Sequence, residues 1–83
     1  MILRYHAWLR HNMGCATEHI VLPDKVENVG MLLDWLQTQD ERFRRAFKYI
    51  DVVLVSVNHH HADRDFPVHD EDEVVLVPPI AGG

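Results

Sequence analysis

The sequence predicts an α+β fold: a mixed sheet of four or five strands, with one main helix and a short second helix packed on one face. Two observations predict it. Apolar and polar residues alternate near the start of the chain, as in a half-buried strand, and apolar runs at 52–57 and 74–77 indicate further strands. Between these segments, apolar residues recur at the spacing of an amphipathic helix. The 83 residues are predicted to form one small domain, 1–83, with a tail at about 78–83.

The amino-terminal part of the chain is predicted to form a hairpin. The first strand covers residues 2–10, with its apolar side chains on one face and His6 and Trp8 on the other. Residues 12–14 supply turn chemistry, and residues 18–22 form a second short strand. The outward position of Trp8 makes it a candidate for a partner surface.

Two helices are predicted in the middle of the chain. Asn28 caps the first and Asp40 caps the second. The sheet-facing stripe of the first helix consists of Val29, Leu32, Leu33 and Leu36. The inward face of the second helix consists of Phe43, Ala46 and Phe47. Its other face is a basic ridge, interpreted as solvated or as a guide for an acidic partner, formed by Arg42, Arg44, Arg45 and Lys48.

The carboxyl-terminal half is predicted to supply the remaining strands. Residues 52–57 form a near-continuous apolar run, which indicates a strand towards the middle of the sheet. Residues 59–67 hold one short edge strand, and residues 68–73 form a polar turn that leads into the final strand, 74–77. With the first and last strands side by side in the centre, the tail would leave from one end of the sheet.

The composition argues against several classes of function. The chain has 13 Asp and Glu against 8 Lys and Arg and no block of basic residues, so we expect neither nucleic acid nor a membrane as its partner. Its single cysteine, Cys15, forms no intramolecular disulfide and is interpreted as an incidental thiol in a reducing compartment. Because no apolar run approaches the ~18 residues of a membrane span, the protein is expected to be cytoplasmic.

The run His59-His60-His61 raises the possibility of a metal site, since imidazole is a common metal ligand. In an extended segment only His59 and His61 would share a face, with His69 nearby. No companion cysteine or spaced carboxylate completes a ligand set, so we predict no metal site and interpret the run as a solvated or partner-facing loop. The acidic residues 70–73 lack the spacing of a calcium loop.

The end of the chain, Pro78-Pro79-Ile80-Ala81-Gly82-Gly83, is the candidate for the reactive group. Two glycines without Cβ atoms can follow a narrow channel and present a main-chain carboxylate to another protein's active site. The prolines stiffen the base of this tail. The alternative is a frayed terminus that happens to end in glycines.

Several segments together resemble the small subunit of molybdopterin synthase and, more broadly, the ubiquitin-like sulfur carriers that include the thiamine-pathway carrier. The most specific is the acidic turn and Glu-Val strand start at 70–74 that runs on to the two prolines and terminal Gly-Gly. Supporting segments are residues 4–10, Leu22-Pro23, 29–33 and Val57-Asn58. The resemblance covers essentially the whole chain and implies a β-grasp fold. Its Pro-Pro pair favours the molybdopterin branch over the thiamine branch.

The resemblance implies a protein cosubstrate that is not catalytic alone. In this family an E1-like adenylyltransferase uses ATP to adenylate the terminal carboxylate, here that of Gly83, while Gly82 provides passage. A sulfur donor such as a cysteine desulfurase or rhodanese system then gives a thiocarboxylate. The large synthase subunit, in a heterotetramer with the carrier, uses it to put dithiolene sulfur onto cyclic pyranopterin monophosphate. No tightly bound cofactor is implied.

The resemblance also implies contacts with these partners. They fall on Val77, Pro78, Pro79, Ile80, Ala81, Trp8, His6 and His61. His6 and His61 stand where family members tend to be more apolar. Two alternatives use the same tail: a thiamine-type carrier, and a ubiquitin-like modifier that is joined to lysines of target proteins. A third is a binding module whose tail is inert.

Overall fold

The computed structural model describes residues 1–48 and 53–78. These residues form five strands and three helices in the order β1 (Ile2–Tyr5), α1 (Ala7–Met13), β2 (Thr17–His19), α2 (Val29–Gln39), α3 (Glu41–Lys48), β3 (Leu54–Val57), β4 (His60–Ala62) and β5 (Glu73–Val77). The strands make one mixed sheet in the order β2-β1-β5-β3-β4. β1 and β5 are parallel, and the other neighbours are antiparallel. The predicted pairing of first and last strands in the centre is confirmed.

The core lies between one face of the sheet and the helices. On the central strands Leu3, Tyr5, Val74 and Leu76 are almost completely buried. They face the stripe predicted for α2, whose four members are all buried. The Asn28 side chain accepts a 2.8 Å hydrogen bond from the backbone N–H of Met31, so the predicted cap is confirmed.

The first strand is shorter than its alternating pattern predicts, since it ends at Tyr5 and a helix follows. Ala7 has a φ of +56°, which turns the chain out of the strand direction. In α1, Leu9 and Met13 lie four residues apart and are both buried, as on one face of a helix. The predicted 12–14 turn is instead the end of α1: Gly14, at φ +79°, donates its N–H to the Arg10 and His11 carbonyls.

Other boundaries shift by a few residues. The two amino-terminal strands pair antiparallel as predicted, with Leu3 opposite Glu18, but β2 covers Thr17–His19 rather than 18–22. β3 begins at Leu54; residue 52, where it was predicted to start, lies outside the described residues. The predicted edge strand is β4, and it does lie at the edge of the sheet.

The second predicted helix is α3, and it is joined to the sheet by aromatic packing. Asp40 accepts a 2.8 Å hydrogen bond from the N–H of Arg42 through its side chain, which is the predicted cap. Phe43 and Ala46 are buried and Phe47 is half-buried. The Phe43 ring meets the Tyr5 ring edge-on, with 5.9 Å between their centroids.

Arg42 was predicted to belong to the solvated ridge, but it is part of a polar network. Its guanidinium pairs with Glu18 at 2.9 Å and Asp40 at 2.7 Å, and donates to the Met13 carbonyl at 2.6 Å. Glu18 also accepts a 2.8 Å hydrogen bond from the Tyr5 hydroxyl. Burial and the bond to Glu18 raise the pKa of Tyr5 above its ordinary value, and the Arg42 side chain lowers the pKa of Asp40. The network ties α1, α3, β1 and β2 together.

The acidic turn before β5 is only partly the solvated turn predicted from the sequence. Asp72 is 7% exposed, and its carboxylate accepts hydrogen bonds from Asn58 Nδ2 at 2.9 Å and from the backbone N–H of His69 at 2.7 Å. Burial of this carboxylate is offset by these donors. The β3–β4 turn is thereby fixed to the start of β5.

Candidate functional site

The carboxyl end of β5 is the point from which the predicted tail continues. Leu76 pairs with Tyr5 on one side, and Val77 pairs with Leu54 on the other. The N–H of His6, directly before α1, donates to the Leu76 carbonyl at 3.1 Å. The chain therefore leaves the sheet from its centre, beside the start of α1.

Only the first residues of the predicted partner-binding segment 77–83 belong to the part of the chain that the structure describes. Pro78 is buried, and Val77 is half-buried. Pro79, Ile80, Ala81, Gly82 and Gly83, which include both predicted reactive glycines, lie outside the described residues.

The sheet face turned away from the helices brings together two of the predicted contact residues. In the pairing register, Arg4, Val75, Ser56 and His61 form one row across four strands. The neighbouring row contains Val77 and Leu54. We call this surface the outer face, formed by Ile2, Arg4, Leu54, Ser56, His61, Glu73, Val75 and Val77. Val77 and His61 thus share the outer face, and His6 follows it at the end of β1.

The outer face combines apolar side chains with a charged rim. Leu54 is 45% exposed, and Val75 and Val77 are half-buried. At the other end of β5, the Glu73 carboxylate accepts a 2.8 Å hydrogen bond from Arg4 and lies 3.5 Å from His59 Nε2. Apart from Ile2, which pairs with Glu73, the apolar side chains of the outer face therefore lie towards the end of β5.

Trp8 does not lie on the outer face. The strand pattern placed it there with His6, but it belongs to α1, and it is 38% exposed. Leu9, its neighbour, is the residue of this turn that enters the core. The prediction of an accessible tryptophan is confirmed, and the prediction of its face is wrong.

Leu54 and Val75 are outer-face residues that were not among the predicted contacts. The signal was present in the sequence, because side chains alternate between the two faces of a strand. Once Val74 and Leu76 are assigned to the core, Val75 and Val77 must point the other way. The apolar run of β3 hid this alternation, since it suggested a strand buried on both faces.

The histidine run is distributed around the β3–β4 turn. His59 approaches Glu73, and His61 Nε2 lies 3.8 Å from the Asp63 carboxylate. Within residues 1–48 and 53–78 no three His, Cys, Asp or Glu side chains are grouped to hold a metal ion. In the same part of the chain, no helix is long and apolar enough to cross a membrane.

A five-stranded mixed sheet with a central parallel pair and helices on one face defines a ubiquitin-like β-grasp domain, and solved structures share this fold. A putative molybdopterin converting factor subunit 1 from Pyrococcus furiosus has a TM-score of 0.75 at 24% identity, with 95% of each chain covered. The small archaeal modifier protein 1 of Haloferax volcanii has a TM-score of 0.76 at 23% identity, with 96% of this chain and 97% of that chain covered.

A third similar structure is a complex of subunits 1 and 2 of the molybdopterin-converting factor from Helicobacter pylori, with a TM-score of 0.62 at 23% identity, covering 99% of this chain and 96% of that one. The chain belongs to the ThiS family, whose match spans residues 3–83. A comparison with curated protein sequences found no match.

Proposed function

We propose that this protein is the sulfur carrier of molybdenum cofactor synthesis and acts through the carboxylate of Gly83. The observation that carries the proposal is the central position of β5: the strand that precedes the Gly-Gly end is hydrogen-bonded to both β1 and β3, so the tail follows a strand that is held on both sides. The pairing of subunits 1 and 2 in the Helicobacter pylori relative supports a large-subunit partner.

The chemistry follows from the poor leaving group of a free carboxylate. A carboxylate oxygen of Gly83 attacks the α-phosphorus of ATP on an adenylyltransferase, which releases pyrophosphate and forms an acyl adenylate. The outer sulfur of a persulfide donor then attacks the acyl carbon and AMP leaves, which gives an acyl disulfide. A second thiol attacks the donor's inner sulfur, forms a disulfide with it and releases the thiocarboxylate. In the large synthase subunit this sulfur passes to cyclic pyranopterin monophosphate, and hydrolysis restores the carboxylate. Gly82 lets the tail pass a narrow channel.

The outer face and the residues around the end of β5 are proposed to contact these partners. Val77 and Leu54 supply apolar area directly beside the exit of the chain. His61 lies on β4 within the outer face, His6 directly precedes α1, and Trp8 is exposed on α1. Apolar and aromatic residues at the centre of an interface commonly carry much of its binding energy.

Removal of the terminal glycine should separate function from folding. We expect a chain lacking Gly83 to keep its circular dichroism spectrum and thermal midpoint, because every described strand and helix ends before it. Incubated with an adenylyltransferase, ATP and a sulfur donor, the wild-type chain should gain the mass difference between sulfur and oxygen, and the shortened chain should not. Intact-mass spectrometry measures both.

The control is Val21→Ala, at an 82% exposed position, which should gain sulfur like the wild type. Molybdopterin formation by the shortened chain with purified partners would contradict the proposal. A ladder of conjugates on gels, in place of the mass gain, would support the ubiquitin-like modifier. Sulfur transfer to a thiazole precursor alone would support the thiamine-type carrier.

A further inference from the structure

The charges of this acidic protein are unevenly distributed among its elements. Together α1 and α3 carry five of the eight Lys and Arg but one of the thirteen Asp and Glu, which leaves three cations and twelve carboxylates for the rest of the chain. The net charge of −5 therefore hides a local excess of positive charge.

These cations lie close together because α1 and α3 are neighbours. Arg42 joins the two helices through its bond to the Met13 carbonyl and is itself paired with carboxylates. The others are exposed, and those of α3 fall on the face opposite buried Phe43 and Ala46. We call this surface the basic end, formed by Arg10, Arg44, Arg45 and Lys48.

The basic end lies at the same end of the sheet as the exit of β5. The residue before α1, His6, is hydrogen-bonded to Leu76. Phe43 of α3 packs against Tyr5, which is the partner of Leu76 in the sheet. Both helices thus flank the point where the chain leaves β5.

The opposite end of the sheet is acidic. The amino group of Met1 lies 3.4 Å from the Asp70 carboxylate, and the N–H of Ile2 donates to the Asp72 carbonyl at 3.0 Å. The loops that meet there bring exposed carboxylates from two segments, since the N–H of Val68 donates to the Glu27 carbonyl. These exposed acidic side chains are Asp24, Glu27, Asp70 and Glu71.

We propose that the basic end docks against an acidic surface on the partner protein, around the opening that receives residues 79–83. The inference rests on the proposed function, because that function makes the tail the part that enters the partner. A protein surface fits better than nucleic acid: a long polyanion also meets the field of the twelve other carboxylates. The charges of an acidic patch on a folded partner act mainly within a Debye length, about 8 Å at physiological ionic strength, so such a patch can attract the basic end with little repulsion from the acidic end.

The expected role is to orient the encounter rather than to hold the complex. A molecule with its positive charge at the tail end approaches an acidic opening tail first, and its acidic loops are turned away. Such complementarity raises the association rate more than it slows dissociation, and salt weakens it.

The test compares two double variants that each remove two positive charges. Arg45→Gln/Lys48→Gln changes the basic end, and Lys25→Gln/Arg64→Gln removes two exposed cations from elsewhere. Association of each with the adenylyltransferase of the same organism is followed by stopped-flow fluorescence. At low salt we expect the first variant to associate about 3- to 10-fold more slowly than the second, and the gap to close near ~0.5 M salt. Circular dichroism checks that both are folded.

Each other outcome overturns the inference. Equal slowing by both variants would mean that net charge alone matters, and wild-type rates for the first would mean that the basic end is not used. If the first variant instead lost binding to a labelled single-stranded oligonucleotide, the partner would be a nucleic acid. If the wild type accepts sulfur, any of these results contradicts only the docking role of the basic end. If the wild type neither binds the adenylyltransferase nor gains sulfur, the proposed function is contradicted as well.

Discussion

Single residues fix the geometry at the turns of this small fold, and Asn58 is the clearest example. Asn58 and His59 form a two-residue turn between β3 and β4, both with positive φ, 50° and 71°. The Asn58 side chain donates to Asp72 at 2.9 Å and accepts from the N–H of Glu73 at 3.0 Å. One side chain thus joins the turn, a buried carboxylate and the start of β5.

Replacement of Asn58 by Ala should lower the free energy of unfolding by about 2 to 3 kcal/mol, since it removes two hydrogen bonds and puts Ala in the left-handed region. Asn58→Gly removes the same bonds but tolerates the backbone, so it should cost about 1 kcal/mol less. Urea unfolding followed by circular dichroism measures both. Equal costs for the two variants would show that the backbone conformation contributes nothing.

At the scale of the elements, a helix or strand could be predicted from the sequence where its segment shows a single hydrophobic periodicity. The stripe of α2 and its Asn28 cap are local, so the helix was predicted closely. α1 was not predicted because Leu9 continues the alternating spacing of Leu3 and Tyr5 in β1. All three residues are buried, so the pattern is typical of one long strand. The pair Leu9 and Met13 followed by Gly14 was the helix signal that the longer alternation concealed.

The buried stripe of α2 should carry more stability than its exposed side. Leu32 is fully buried, so Leu32→Ala should cost about 2 to 5 kcal/mol through the loss of buried apolar area and the cavity left behind. Met31, its neighbour, is 38% exposed, and Met31→Ala should cost less than about 1 kcal/mol. Chemical denaturation gives both values; a similar loss for the two would contradict the assignment of the core face.

The polar network and the candidate site show why the remainder could not be predicted from the sequence. Tyr5, Glu18 and Arg42 come from three different elements, and no spacing rule links them. The outer face depends likewise on strand order and register. The pairing of Val77 with Leu54 became evident only with the sheet. Local patterns give the elements, and contacts between distant residues require the assembled fold.

At the scale of the whole molecule, two carboxylates link stability to acid pH. The N–H of Leu22 and then the terminal ammonium group lower the pKa of Asp70, and Arg42 lowers the pKa of Asp40, both below the ordinary value of 3.8. A depressed folded-state pKa gives stability that is present above the unfolded value and is lost as the pH falls through the folded one. The two groups therefore contribute at neutral pH and lose their contribution below 3.8.

We expect the contribution of these two carboxylates to keep the urea midpoint constant from neutral pH to about pH 5. Below about pH 4 the midpoint should fall steeply as they become protonated. Asp40→Asn and Asp70→Asn should each lower the midpoint at neutral pH and make the acid decline shallower. The exposed Asp24→Asn serves as the control and should leave both features close to wild type. If the urea midpoint of the wild type and of all three variants fell in parallel with decreasing pH, Asp40 and Asp70 would not be the groups that link stability to acid pH.

The parallel pairing of β1 with β5 also has a consequence for how the chain folds. It joins Ile2 to Glu73 and Tyr5 to Leu76, so the centre of the sheet is made from residues about seventy positions apart. Closure of so long a loop lowers the entropy of the chain before the contacts between the strands stabilise it. Proteins with many contacts between distant residues therefore fold slowly. During synthesis, β1 leaves the ribosome long before its neighbour β5 exists. The central pair can assemble only once nearly the whole chain has emerged, just ahead of the residues proposed to carry sulfur.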